Sequence, residues 1–482
     1  MIEFQPELIL SGDRHTESQT SIRDKALKIN LNKNIYGSFA EIGAGQETAR
    51  HFFRSGAASR TIAKAMSAYD KQFSDAIYSV ENDGRYVTEN RLHKMLDHEM
   101  NLLVERIDSS LNPERYYFAF ANTVATIDFA KKFKGHGWLG VKFQTEPNGA
   151  FNEITIHIQF KENDANLQQH TLGILGVNLI YGAFYQNHQP KKLIDQLYDH
   201  LDKDQLEIDT INFQGPCFEN VDNRLMSLYL VKNHMTEAIM FSPDAKNVLP
   251  ANVLFRKNIL ILRGSFRPVT TVNVSMLKKS LELFVQNQNT TEENTQVIFE
   301  LTLNNLLKEG DIDENDFLSR AELLCSLGHT VMVSNFKEYF KVIDYCSQYS
   351  SEGKALTIGV NSIYEIFNDI HYKELKGGLF EGLGRLFKNN LKIYLYPIVL
   401  EDGTIVNSKN LKLENEEMQP IYDYFVTKNQ IIDIENYELN NLKIFSHHVL
   451  EKIINNDNSW KELVPEEVAE IIEKQQLFTK KV

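Results

Sequence analysis

The chain has 482 residues, 42% of them apolar and 24% charged, and a net charge of −14. That is the profile of an ordinary folded protein of two to four domains. Its acidity argues against a broad basic face for duplex nucleic acid, whose binding rests on phosphate neutralisation, while local basic clusters could still hold a small phosphate.

Only three cysteines occur, Cys217, Cys325 and Cys346, and none forms a CxxC pair. This excludes a disulfide scaffold and a cysteine-rich zinc site, and it fits a reducing compartment. The opening MIEFQPELILSGDRH has neither a basic leader nor an apolar h-region, and no run of about 18 apolar residues exists. A cytoplasmic protein without a membrane partner is therefore expected.

Residues 1–34 read as a polar N-terminal arm. From Ile35 an apolar, strand-like piece runs through Gly43-Ala44-Gly45 into an apparent helix. YYFAFANTVAT, from Tyr116, is aromatic and β-branched and reads as a strand. GWLGVKFQ and EITIHIQF flank Pro147-Asn148-Gly149, a hairpin signal because Asn-Gly supplies positive φ at little cost. In the second of these strands Ile154, Ile156, Ile158 and Phe160 share a core face. Thr155, His157 and Gln159 should face solvent or a ligand. LQQHTLGILGVNLIYGAFYQ is an apolar helix interrupted by Gly173, Gly176 and Gly182, each costing up to ~1 kcal/mol against Ala unless close packing compensates.

From Leu206 the pattern alternates between strands (LEIDTINF, EAIMF, NILILRGSF, HTVMVSN, ALTIGVN, LKIYLYPIVL) and helices (VDNRLMSLYLVKNH, VSMLKKSLELFVQ, FKEYFKVIDYCSQYS). Such alternation predicts α/β architecture with mainly parallel sheets, crossover helices and a helical C-terminal extension. The polar run Gln286–Thr295 reads as a linker, giving an α/β domain over 35–285 and a second α/β lobe over 296–482.

Several strand–loop–helix turns could carry chemistry. In Glu41-Ile42-Gly43-Ala44-Gly45 a glycine turn permits close backbone approach, and the following helix offers free N–H groups to an anion. Gly43, Gly45, Gln46 and Thr48 are the candidate contacts. EIGAG also resembles the first motif of methyltransferases that use S-adenosylmethionine, departing from it at Glu47. The packing alternative is a tight turn with a solvated basic face at Arg50, His51 and Arg54.

The second turn is RGSFRPVTTVNVSML, Arg263 to Leu277. GSFRPVT resembles the nucleotide-binding opening of nicotinate- and nicotinamide-nucleotide adenylyltransferases, GSFxPxTxxH, with Gly264, Ser265, Phe266, Pro268 and Thr270 matching. That family's histidine falls on Asn273, which can donate a hydrogen bond but carries no charge. Arg263 and Arg267 bracket the turn and suit phosphate oxygens.

Three further stretches are weaker. In FQGPCFENVDNR, Cys217 reads as a small buried residue before a nucleophile. DIDENDFLSRAE has calcium-loop spacing at Asp311, Asp313, Asn315, Ser319 and Glu322, but Asp316 stands where glycine is needed, and a helix cap explains it better. KGGLFEGLGRLFKNN reads as an amphipathic packed helix. His15, His329 and His447-His448 have no HxH or HExxH partners, and no metal is assigned.

More broadly, EIGAGQETARHFF, AMSAYDKQFSDAIY, FQGPCFENVDNRLMSLYLV, ILRGSFRPVT and LFEGLGRLFKNNLKIYLYP together resemble a bacterial cytosolic family of similar length. Its members are often labelled nicotinate-nucleotide adenylyltransferase, with no activity established. The resemblance implies a coherent family more than any chemistry, while the strand–loop–helix turns themselves suggest a binder of a nucleotide or phosphorylated small molecule, and at its furthest a phosphate-centred nucleotidyl transferase. If the turns converge, Gly43, Gly45, Gly264, Ser265 and Arg267 line one pocket, with Gln46, Thr48, Thr270 and Asn273 as further contacts. The cofactor is left unassigned, the options being a nucleotide and, if the activity is nucleotide-dependent, magnesium; a homo-oligomer is expected. No catalytic residue is assigned. The alternative is a non-enzymatic, self-assembling scaffold, suggested by the missing catalytic histidine and the many aromatic residues.

Overall fold

The computed structural model describes residues 20–81, 84–107, 109–308, 311–400 and 402–479. The arm's first 19 residues, with His15, lie outside them. The chain forms two compact units: unit 1 is Met1–Glu207 with Phe213–Asn220, and unit 2 is Ile208–Asn212 with Val221–Val482. The strand Leu206–Gln214 is divided between them.

Unit 1 opens with helix α1 (Ile22–Leu31), whose N-cap Ser21 accepts a hydrogen bond from the Asp24 N–H. Lys25, Ala26, Ile29 and Asn30 of α1 are buried, so this part of the expected arm belongs to the core. Strand β1 (Ile35–Ile42), helix α2 (Glu47–Ser55), β2 (Ile62–Met66), β3 (Tyr116–Ala125), β4 (His136–Phe143), β5 (Asn152–Phe160) and helix α3 (Ala165–Tyr185) follow. These five strands lie in the order β2-β1-β3-β4-β5 within a six-stranded sheet whose last strand is Leu206–Gln214. β1 runs parallel to both neighbours, with Ile35 opposite Tyr116 and Ile42 opposite Thr123. β3, β4 and β5 are antiparallel, as the Asn-Gly turn predicts.

Two details differ from expectation or sharpen it. The second face of β5 is not open, because Thr155 and His157 are buried. Period-two alternation reports chemistry, not what covers a face. The glycines of α3 serve close packing: a Cβ on Gly176 would stand 2.3 Å from Thr48 Oγ1, and one on Gly173 would stand 2.8 Å from Glu47 Cβ.

Unit 2 holds an eight-stranded sheet. In chain order its strands are β6 (Ala238–Phe241), β7 (Asn247–Val248), β8 (Asn258–Arg263), β9 (Thr295–Thr302), β10 (Thr330–Ser334), β11 (Lys354–Gly359), β12 (Lys392–Tyr396) and β13 (Ile431–Asp433). Helix α4 (Thr271–Gln288) follows β8, α5 (Glu314–Ser326) precedes β10, and α6 (Glu466–Gln475) comes near the end. The spatial order is β13-β12-β11-β8-β9-β10-β6-β7. The strands from β13 to β10 are parallel; β6 and β7 join antiparallel at one edge. β8 shows why both faces need cover: Leu260 and Leu262 enter one apolar core, Ile259 and Ile261 the other.

The boundary expected at 286–295 is a crossover inside this sheet. β8 and β9, on either side of it, are hydrogen-bonded neighbours with Asn258 opposite Thr295. A polar ten-residue run suits a surface loop between a helix and a strand as well as it suits an interdomain linker. The closing helices are built in too, with Val449, Trp460, Val468 and Ile472 all in the unit 2 core.

Candidate functional site

Taken in chain order, the six parallel strands of unit 2 lie 3-2-1-4-5-6, the doubly wound arrangement. The connections that follow β8 and β11 run toward opposite edges of the sheet, so the switch point, where doubly wound folds bind their ligands, lies outside the carboxyl ends of these two strands. The last pairing between these strands is Leu262 with Thr357. Two residues further on, each chain reaches a glycine, Gly264 and Gly359. A Cβ on Gly359 would meet nothing within 4 Å.

The loop after β8 is the GSFRPVT stretch. Its carbonyls point into the protein: Gly264 O accepts from Asn305 Nδ2 at 3.1 Å and Ser265 O from Arg320 Nη1 at 3.0 Å. Phe266 is buried with φ +46° and its ring meets Phe299 edge-on at 5.2 Å. Gly264 is required by that ring, which would lie 2.9 Å from an added Cβ. The Ser265 side chain is left in solvent.

Thr270 then caps α4. Asn273 Oδ1 accepts from Thr270 N at 2.9 Å and from Thr270 Oγ1 at 3.0 Å, the reciprocal box that fixes a helix start. The residue at the adenylyltransferase histidine position therefore has a structural duty. Its Nδ2 makes no hydrogen bond among the described residues and remains a donor in the first turn of α4.

The cations of this turn are committed. Arg263 grips buried Glu300 through two 2.8 Å bonds and stacks on Tyr339 at 4.4 Å. Glu300 also accepts from Ser334 Oγ at 2.7 Å. Arg267 and Arg320 both pair with Asp316. Arg267 is thus neutralised in place, and the residue that binds it lay beyond sequence reasoning, being 49 positions away in the chain. Burial pushes the Tyr339 hydroxyl up to about 12.

The glycine turn of unit 1 is filled from within. Glu41 is fully buried, and its carboxylate accepts from Thr48 N at 3.1 Å, Ala49 N at 2.9 Å and Asn122 Nδ2 at 3.1 Å. Those two N–H groups open α2 and are the ones a phosphate would use. Burial lifts the Glu41 carboxyl from 4.5 to about 7 despite the donors. Gly43, at φ +96°, packs on the β3 backbone, where a Cβ would stand 1.9 Å from Val124 O. Thr48 is buried, Gly45 half-buried and Gln46 exposed. The Glu41 cap was the missed signal: an acid just before a glycine turn, seven and eight residues ahead of the donors it satisfies. The two candidate sets fall in different units, Gly43, Gly45, Gln46 and Thr48 in unit 1 and Gly264, Ser265, Arg267, Thr270 and Asn273 in unit 2.

The other stretches resolve as structure. Asp313 caps α5, accepting from Asn315 N and Asp316 N, so the calcium-like spacing is a helix start. Among the described residues no three His, Cys, Asp or Glu side chains gather in a metal-holding group. Cys217 is exposed rather than buried as expected, yet desolvation by its surroundings pushes the thiol up to about 11, far from a nucleophilic thiolate at neutral pH. In Gly378–Leu386 the face Leu379, Leu383 and Leu386 is buried, while Phe380 points out. No described helix is long and apolar enough to cross a membrane.

No family model matches the chain, and no curated protein does. Among solved structures, part of the chain is similar to the nicotinic acid mononucleotide adenylyltransferase of Plasmodium falciparum, solved in complexes with APC and NaAD. For the APC complex the identity is 16% and the TM-score 0.29, over 46% of this chain and 97% of that one. Part is similar to the competence/damage inducible protein CihA of Agrobacterium tumefaciens, at 15% identity and TM-score 0.24 over 33% and 93%. A CinA superfamily protein from Enterobacter cloacae gives 11% and 0.27 over 36% and 98%. At these scores the likenesses are distant and partial, and they carry no functional assignment.

Proposed function

We propose that unit 2 binds a nucleotide or another phosphorylated small molecule in the crevice outside β8 and β11. The observation that carries this reading is the strand-order reversal at β8, with Gly264 and Gly359 ending the two strands on either side of it. Exposed Ser265, the spare Asn273 amide and the start of α4 supply uncharged donors suited to phosphate oxygens. Unit 1 contributes less, because Glu41 occupies the helix start where an anion would sit.

Binding is better supported than nucleotidyl transfer. A transferred phosphoryl group needs positive charge where charge develops, and Asn273 has none. Arg267 could supply it only by leaving Asp316, or a ligand's magnesium could bring it. The test is a thermal-shift and calorimetric screen with ATP, nicotinate mononucleotide and sugar phosphates, with and without magnesium. At least one should stabilise the protein, and Ser265→Tyr, at a solvent-exposed position, should abolish that binding while leaving the unliganded melting temperature unchanged. Absence of stabilisation by every compound refutes the reading.

A further inference from the structure

Between β3 and β4 the sequence Asp128-Phe-Ala-Lys-Lys-Phe-Lys134 forms a built turn rather than a loose loop. Asp128 accepts from Lys132 N at 2.7 Å and Phe133 N at 3.0 Å through its carboxylate, and from Lys131 N at 2.9 Å through its carbonyl. Gln168 Oε1 anchors the base by accepting from Ile127 N at 2.7 Å. The turn holds two phenyl rings in water, Phe129 at 106% exposure and Phe133 at 74%. Lys131 and Lys132 stand between them, exposed and outside any ion pair among the described residues. An ordered turn that displays two aromatic rings and free cations on a chain of net charge −14 is the kind of surface that marks an interaction site.

A surface of matching chemistry exists in unit 2. A 560 Å³ cavity is lined by Val274, Leu277, Phe299, Leu327 and Pro465, with Glu466, Glu467 and Glu470 among its other lining residues. The three glutamates are exposed and unpaired among the described residues. His329, also in the lining, is kept neutral by burial and adds no opposing charge. An apolar cavity of about 150 Å³ suffices for a benzene ring, and this one has more than three times that volume. Lysines meeting glutamates would supply register and steering.

We propose that the Phe129–Lys134 turn of one molecule docks into the Glu466–Glu470 cavity of a second copy of the chain. Two different surfaces meet in such a contact, which makes it heterologous and propagates it into a closed ring or a filament. The mutual repulsion of Lys131 and Lys132 disfavours the alternative in which two turns meet each other.

The full-length protein tests this by sedimentation velocity. Wild type should assemble, and raised salt should loosen the assembly. Phe129→Ser with Phe133→Ser alters only the turn, and Glu466→Lys with Glu470→Lys alters only the cavity. Each pair should weaken association at least about 100-fold. An equimolar mixture of the two should form a one-to-one dimer and nothing larger, because one intact turn then faces one intact cavity. If the cavity variant misfolds by circular dichroism, Glu466→Gln with Glu470→Gln replaces it, removing the cavity's charge without inverting it, and should weaken assembly in the same direction. Three results overturn the proposal: a monomeric wild type, whether or not it binds anionic lipid vesicles through Phe129; a turn or cavity variant that still assembles; or a mixture that stays monomeric. The turn variants leave residues 264, 265, 273 and 359 unchanged, so ligand binding by unit 2 is read separately.

Discussion

Glu41 makes the stability of unit 1 depend on pH. Its carboxyl is raised from 4.5 to about 7 by burial, against which the Thr48, Ala49 and Asn122 donors only partly work. A raised acid keeps in the folded state a proton that the unfolded chain releases. Its contribution is therefore fully present below about pH 4.5, declines as pH rises, and is gone above about pH 7. At about 1.4 kcal/mol per pH unit of displacement, the loss across that window is about 3 kcal/mol. Glu41→Gln removes the titration while keeping one acceptor oxygen. The gap between wild type and variant should thus move by about 3 kcal/mol in the variant's favour from pH 4.5 to 8. Each unit contains one tryptophan, Trp138 in unit 1 and Trp460 in unit 2, so in a Trp460→Phe background the fluorescence of Trp138 follows urea unfolding of unit 1 alone. A gap that stays flat from about pH 5 to 8, or moves the other way, would refute the reasoning.

Gly43→Ala should destabilise unit 1 by about 3 kcal/mol or more, because it combines positive φ with a backbone collision; Gly45→Ala, whose Cβ would have only Gln169 at 3.6 Å, should cost about 1–2 kcal/mol in the same unfolding assay. Arg263→Met should cost unit 2 about 3–5 kcal/mol by stranding buried Glu300, and adding Glu300→Met should recover most of it, measured by Trp460 fluorescence. Asn273→Asp keeps the cap acceptor, so the melting temperature should hold. The new charge should weaken any phosphate ligand at least about tenfold by calorimetry.

The regular elements could be read from the sequence because their signals are local. Runs such as NILIL and HTVMVSN, each followed or preceded by a helical period, give parallel strands with crossovers, and the Asn-Gly turn marks the β4–β5 hairpin. The unit boundary could not be read, because composition at 286–295 records solvent exposure rather than which strands pair. Strand order was also hidden. It depends on β11 settling beside β8 rather than beside β10, a choice made by contacts about 95 residues apart. At the turns, glycine spacing located the loops correctly but not what fills them. Glu41 and Asp316 are ordinary acids in the sequence, and only folding brings the first to the α2 amides and the second to Arg267.

The path of the backbone limits how this protein can be taken apart. It enters unit 2 at Ile208, goes back at Phe213 and departs finally at Val221. A gene truncated after codon 207 would lose Phe213–Asn220 from the first module, and one ended after codon 220 would carry a five-residue piece of the second. No single scission separates two complete modules, so recombination could not shuffle either of them as a plain end-to-end cassette.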